Sequence, residues 1–243
     1  MPILETKNLI KKFDGVYAVD NLSIVLELGK VTGIIGPNGS GKSTLVNTLT
    51  GMLAIDGGMV VVGETKLQKI LPYEVPAYGV TRTFQDIRLF EQMTVLDNLL
   101  VVLTERNVFG SLFERHQKFH LNKVEEVLKH VGLWEKRHQL AANLSYGQRK
   151  LLEIGRALAM DTKIILLDEP FAGLFPEMVK IVVATIKQLR DQGRAIVLIE
   201  HNMDLIRQLS DHVIVMDSGQ LLAQGKPEEV LARREVIEAY MGE

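Results

Sequence analysis

The chain has 243 residues, 47% of them hydrophobic and 24% charged, with a formal net charge of -2 and no cysteine. This is the composition of a globular chain long enough for one large domain or two lobes, and it argues against disorder. It excludes disulfides and cysteine-ligated metal, fits a reducing compartment, and leaves no overall basic surplus of the kind a nucleic-acid footprint needs.

Met1 to Lys12 alternates apolar and polar residues without an apolar core of its own, so no secretory signal is expected there. Leu22, Ile24, Leu26 and Leu28 alternate with Ser23, Val25 and Glu27, which predicts a strand with one buried face. Ile3 to Leu9 is its expected antiparallel neighbour. Val31 to Ile35 predicts a buried strand, and helical character runs from Lys42 to Gly51, where the glycine suits a C-cap. Met59 to Val62 reads as a strand, Pro72 to Tyr78 as a short helix stopped by Gly79, and Val80 to Phe84 as another strand. Thr94 to Asp97 has the spacing of a capped helix start, and helical periodicity then dominates 95–103, 120–131 and 146–160. Two strand-helix units follow, Ile164 to Leu167 before a helix from Pro176, and Ala195 to Ile199 before one from Met203. No apolar run reaches the roughly 18 residues that span a bilayer. The expected organisation is an α/β core with an N-terminal antiparallel β subdomain, 1–91 and 161–243, into which a helical subdomain, 92–160, is inserted.

Gly36-Pro37-Asn38-Gly39-Ser40-Gly41-Lys42-Ser43 fits G-x-x-x-x-G-K-[ST] without a gap, with Thr44 next, between a predicted strand and a predicted helix. That context separates a phosphate loop from an accidental glycine-rich turn. The glycines let backbone N–H groups face phosphate oxygens, and the helix N-terminus adds partial positive charge. Lys42 is placed to reach the β- and γ-phosphates of ATP, and the Ser43 hydroxyl to coordinate Mg²⁺.

The strand from Ile164 delivers Asp168 and Glu169 at its C-terminal end, the edge of a parallel sheet where ligands bind. Asp168 suits a Mg²⁺ ligand and Glu169 a general base for an attacking water; the competing reading is a pair of acids at a helix start. The next strand ends in Glu200-His201, which puts His201 on the same edge, within reach of a γ-phosphate. His116, His120, His130, His138 and His212 lack such a context and are expected at the surface. Ser145 opens a predicted helix in Leu144-Ser145-Tyr146-Gly147-Gln148, where a capping serine can make an anion site, although in isolation an ordinary capped helix is the better reading.

Taken together and in this order, these segments resemble the ATP-binding cassette family, whose signature segment matches Leu144 to Gln148. The resemblance covers essentially the whole chain and implies a phosphate-loop, RecA-like core. It implies that Ser145, with Gly147 and Gln148, contacts ATP bound on a second subunit. It assigns Gln85 to Mg²⁺ or the lytic water, and Phe13 to stacking on adenine, with Tyr17 as a rival and core packing as the alternative. Arg82 to Phe90, Met93 to Leu100 and Val236 to Glu243 look like the cassettes of branched-chain amino acid importers, and urea or short-amide importers and lipopolysaccharide-export cassettes share parts of the pattern. Two positions depart from the family: Tyr146 stands where glycine is usual, and Phe175 where many members have Asp or Asn. The resemblance implies a second cassette, integral membrane permease subunits and a solute-binding protein as partners, no nucleic acid, and a place on the cytoplasmic face of the inner membrane. Ile87, Leu89, Phe90 and Met93 are candidates for an apolar groove that receives a permease helix, or for packing between lobes. The rival readings are a soluble cassette ATPase acting on ribosomes or DNA, usually a longer paired chain, and a phosphate-loop kinase or GTPase, which leaves Leu144 to Gln148 unexplained.

Overall fold

A computed structural model of the chain describes residues 1–103 and 117–241; His116 lies outside them. The chain divides into two units, one of Met1–Arg82, Thr162–Glu169 and Ile186–Glu243, the other of Thr83–Asp161 and Pro170–Thr185.

The first unit holds two sheets over one core. In the smaller sheet β1 (Pro2–Phe13) pairs antiparallel with β2 (Val16–Leu22), with β3 (Val25–Glu27) and with β5 (Gly57–Val62), and β6 (Thr65–Leu67) pairs with β5. The strand expected from Leu22 to Leu28 is broken at Ser23 and Ile24, where a side chain replaces the ladder. The Thr6 hydroxyl donates to the Leu22 carbonyl at 2.8 Å and accepts from the Ile24 amide at 3.0 Å. Alternation survives the break, since Leu22, Ile24 and Leu26 are all buried.

The larger sheet runs β11-β10-β4-β9-β8-β7, with β4 (Val31–Ile35), β7 (Val80–Arg82), β8 (Ile164–Asp168), β9 (Ala195–Ile199), β10 (His212–Asp217) and β11 (Gln220–Gly225). Every neighbouring pair is parallel except β10 with β11. Each position of β4, β8 and β9 is buried, as expected of central parallel strands covered on both faces. The β10–β11 hairpin is not anticipated above. It turns on Ser218 and Gly219, both at positive φ (47° and 81°), the backbone that a tight two-residue hairpin requires. The helices of this unit are α1 (Lys42–Leu49), α6 (Met203–Leu209), α7 (Pro227–Val230) and α8 (Arg234–Met241). The helix expected from Pro72 is one 3₁₀ turn, Val75–Tyr78, closed by Gly79 at φ 74°.

The second unit is built on α2 (Val95–Leu103), α3 (Gln117–His130) and α4 (Tyr146–Ala159), together with the start of α5 (Pro176–Asp191). The Thr94 hydroxyl accepts the Asp97 amide at 3.1 Å and donates to its carboxylate, capping α2. This unit takes in Thr83–Glu91 and Pro170–Thr185 besides the expected helical segment. The strand β7 stops at Arg82, two residues earlier than its sequence predicts, because the next backbone groups bond to α4: the Phe84 amide donates to Glu153 at 3.1 Å. Among the remaining histidines His138 is exposed, whereas His120, His130 and His212 are half-buried, and His130 Nε2 meets Thr185 Oγ1 at 2.7 Å. No helix among the described residues is long and apolar enough to cross a membrane.

Candidate functional site

The loop between β4 and α1 is shaped by glycines that no other residue replaces. Gly36 has φ 152°, and a Cβ there would lie 2.1 Å from the Met216 carbonyl oxygen. A Cβ on Gly41, at φ 98°, would lie 2.2 Å from the Ala18 carbonyl oxygen. Strands β2 and β10 therefore press on the loop from behind. The Gly219 amide adds a hydrogen bond to the Ser40 carbonyl at 3.1 Å, so the unanticipated hairpin buttresses the loop. Gly39, by contrast, faces open space, and Asn38, Gly39 and Ser43 are exposed. The result is a backbone cradle with one open side, and it opens onto the N-terminus of α1, which has Gly41 as N-cap and no side-chain cap. Uncapped first-turn amides and their dipole favour an anion.

Lys42 is buried and threads its ammonium into this cradle, donating to the carbonyls of Gly36 at 2.7 Å and Pro37 at 2.8 Å and to Ser40 Oγ at 3.3 Å. The loop thus brings backbone N–H donors and the Lys42 ammonium together. Thr44 is half-buried in the first turn of α1. These features fit the phosphates of a nucleotide, and the exposed Ser43 hydroxyl fits a hard cation bound together with them.

The ends of β8 and β9 bring Glu169 and His201 together. Glu169 follows β8 at φ 47°, a left-handed backbone that costs a non-glycine residue roughly 1 to 2 kcal/mol and that recurs at functional sites. Its amide donates to the Ile199 carbonyl at 3.0 Å, which pins the residue to the end of β9. Its Oε1 lies 3.0 Å from His201 Nε2, so with Glu169 ionised the imidazole N–H donates to it. Asn202 caps α6 by accepting from the Asp204 and Leu205 amides, and so fixes the turn that presents His201. Asp168 is a strand residue rather than a helix cap, and its Oδ2 accepts from Arg82 Nη2 at 2.9 Å. Arg82 also donates to Asn47 Oδ1 on α1 and to Thr50 Oγ1 at 3.3 Å. This arginine, which ties the acid strand to the helix of the phosphate loop, is given no role of its own by the sequence, where it only opens the segment Arg82 to Phe90: no local pattern marks a pair 86 residues apart.

Phe13 is 45% exposed, with the Lys11 ammonium 5.2 Å from its ring centre, so core packing is not its role. Tyr17 is equally exposed on β2.

In the second unit Ser145 is the N-cap of α4. Gln148 donates its amide to Ser145 Oγ at 3.4 Å and accepts the Ser145 amide through Oε1 at 3.1 Å, a reciprocal capping box. Gln148 Oε1 also accepts from Lys136 at 3.1 Å, so its side chain is engaged within the unit. Gly147 is buried where a Cβ would lie 2.5 Å from Met178 Sδ, which gives the glycine a packing reason of its own. Tyr146 lies over Gly173, and Phe175 is 72% exposed. Gln85 is exposed. Phe90 and Met93 are exposed, with Ile87 and Leu89 half-buried. Buried Asn98 holds that segment, accepting the Phe90 amide at 3.0 Å and donating to the Phe90 and Thr94 carbonyls at 3.0 Å each.

Comparison with known proteins agrees with this fold. A family model described as ABC transporter matches residues 19–172, and one described as branched-chain amino acid ATP-binding cassette transporter matches residues 220–243. The chain is 39% identical over 251 residues to the high-affinity branched-chain amino acid transport ATP-binding protein LivG of Salmonella typhimurium, covering 100% of this chain and 98% of that protein. It is 37% identical to BraF of Pseudomonas aeruginosa, with the same coverage of both chains. Among solved structures, a nucleotide-free ATP-binding cassette from an ABC transporter superposes with a TM-score of 0.87 at 37% identity, covering 100% of both chains. The ADP conformation of the cassette MJ1267 gives a TM-score of 0.87 at 38% identity, again over 100% of both chains.

Proposed function

This chain belongs to the ATP-binding cassette transporter family, and on that premise we propose that it is one of two cassettes whose ATP hydrolysis drives uptake of branched-chain or other amino acids. The observation that carries the ATPase reading is the pair Glu169 and His201, 3.0 Å apart at the ends of neighbouring strands, in the unit that also holds the phosphate loop. Full-length similarity to LivG and BraF supports the amino-acid cargo.

In this reading Gly36 to Thr44 hold the triphosphate through backbone amides and the Lys42 ammonium. Mg²⁺, which Ser43 and Asp168 would hold, would offset phosphate charge, and Gln85 keeps the role toward Mg²⁺ or the lytic water that the family resemblance implies for it. Glu169 takes the proton of the attacking water, and the Nε2–H of His201, which holds Glu169 in this structure, would turn to the γ-phosphate when ATP is bound. Phe13 or Tyr17 stacks on adenine. Ser145, Gly147 and Gln148 complete the ATP site of a second cassette, homologous or identical. Phe90 and Met93, with Ile87 and Leu89, receive a helix of an integral membrane permease, which places the chain on the cytoplasmic face of the inner membrane beside a system that includes a solute-binding protein. Nucleic acid has no part in it.

The test is Glu169→Gln, which keeps the volume and the hydrogen bond but removes the base. ATP affinity is expected to persist while turnover falls roughly 10²- to 10⁴-fold, about 3 to 5 kcal/mol of barrier. Turnover close to wild type refutes the assignment. Co-purification from native membranes tests the partners, and recovery with ribosomes and no membrane protein would overturn the transport reading.

A further inference from the structure

Helix α4 carries Lys150, Glu153 and Arg156 at three-residue spacing, which sets them on one side of the helix. An amphipathic helix keeps such a charged stripe in solvent. Here Lys150 is fully buried and Glu153 nearly so. Taking ions out of water costs several kcal/mol each unless their hydrogen bonds are replaced. The replacements all lie in one short stretch of backbone. The Lys150 ammonium donates to the carbonyls of Phe84 at 3.2 Å and Gln85 at 3.3 Å. Glu153 Oε1 accepts the Phe84 amide at 3.1 Å. Arg156 donates to the Arg88 carbonyl, and its guanidinium lies 5.2 Å from the centre of the Phe90 ring. Burial pushes the Glu153 carboxyl up from the ordinary glutamate range, against the Phe84 amide and the nearby Lys150 charge, which favour its ionised form.

Four backbone groups between Phe84 and Arg88 are therefore gripped by the side chains of one helix. A surface loop ordinarily satisfies such groups with water or within itself. The Gln85 side chain is left exposed while its own carbonyl is held.

We propose that Lys150 and Glu153 are positioning residues for Gln85: they fix its backbone to the helix that begins at Ser145, so that the two segments answer to nucleotide as one body. This rests on the reading that Gln85 serves the nucleotide. Ser145 and Gln85 would then not engage independently, because movement of α4 toward the ATP of a second chain carries Gln85 with it. Displacing a positioned group by about 1 Å can cost up to about 10²-fold in rate.

The experiment is a double-mutant cycle on the full-length chain, with Gln85→Ala and Glu153→Leu alone and combined, reading turnover at saturating ATP and Mg²⁺ together with ATP affinity. Glu153→Leu should lower kcat about 10-fold or more with ATP affinity unchanged, and the combined variant should be no slower than the slower single variant. Multiplying losses would show that Glu153 acts elsewhere and would overturn the proposal, as would a Glu153→Leu enzyme with wild-type turnover. Wild-type turnover in Gln85→Ala would sink the reading of Gln85 itself, a separate result because that variant is measured alone. Should Glu153→Leu not fold, Lys150→Met, which keeps the length of the stem, takes its place in the cycle. Glu153→Gln keeps the acceptor for the Phe84 amide and should restore most of the turnover; failure to do so also counts against positioning.

Discussion

Replacing Arg82 by methionine removes a guanidinium that binds three groups of the nucleotide unit while keeping much of its stem. The lost pair with Asp168 is 2.9 Å long between side chains 8% and 5% exposed, so solvent screens it little. Breaking a buried pair by deleting one partner costs about 3 to 5 kcal/mol. The cavity contribution is small, because methionine fills most of the same volume. Since 1 kcal/mol shifts the Tm of a chain this long by about 2 to 4 °C, the expected fall is about 6 to 20 °C, read by circular dichroism. Arg82→Met combined with Asp168→Leu, which removes both ions, should recover part of the loss. A single variant melting within about 2 °C of wild type would refute the reasoning.

Lys42→Ala should weaken ATP binding at least about 10-fold by calorimetry, since its ammonium is already lodged among the loop carbonyls; unchanged affinity would remove that role. Asp56 accepts the Lys12 amide at 2.8 Å and pairs with Lys11 at 3.0 Å, and these hold its carboxyl below the usual aspartate range. A carboxyl with a depressed folded-state pKa contributes stability above its unfolded pKa of about 3.9 and loses it as pH falls through the folded value. Asp56→Asn should therefore lower the urea midpoint at pH 7, with the difference shrinking below about pH 4.

The strands that carry the site were readable because each is a short, mostly apolar run ending in a glycine or a polar residue. Val31 to Ile35, Ile164 to Leu167 and Ala195 to Ile199 all stand where their periodicity puts them. The β10–β11 hairpin had a signal too, an apolar run from Val213 to Met216 followed by Ser218-Gly219, yet its importance lies in contacts with Gly36 and Ser40 that no local pattern encodes. Arg82 illustrates the same limit, since a strand-end arginine next to an exposed segment reads as a solvated charge until Asp168 is folded against it. Lys150 and Glu153 invert the usual inference from amphipathicity: they are buried because they serve backbone groups, and periodicity reports charge without reporting what satisfies it. Gly147 shows the converse, a glycine expected at nucleotide that also has a steric reason in Met178.

The central claim is that the phosphate loop of one chain works with the Ser145 segment of another. Specific ATPase activity measured across about a hundredfold range of protein concentration tests it most directly, because an assembly of two chains follows mass action. The account predicts that hydrolysis per mole of chain rises with concentration and then levels off as pairs saturate. Constant specific activity across the range, in a protein that stays monomeric, would contradict it.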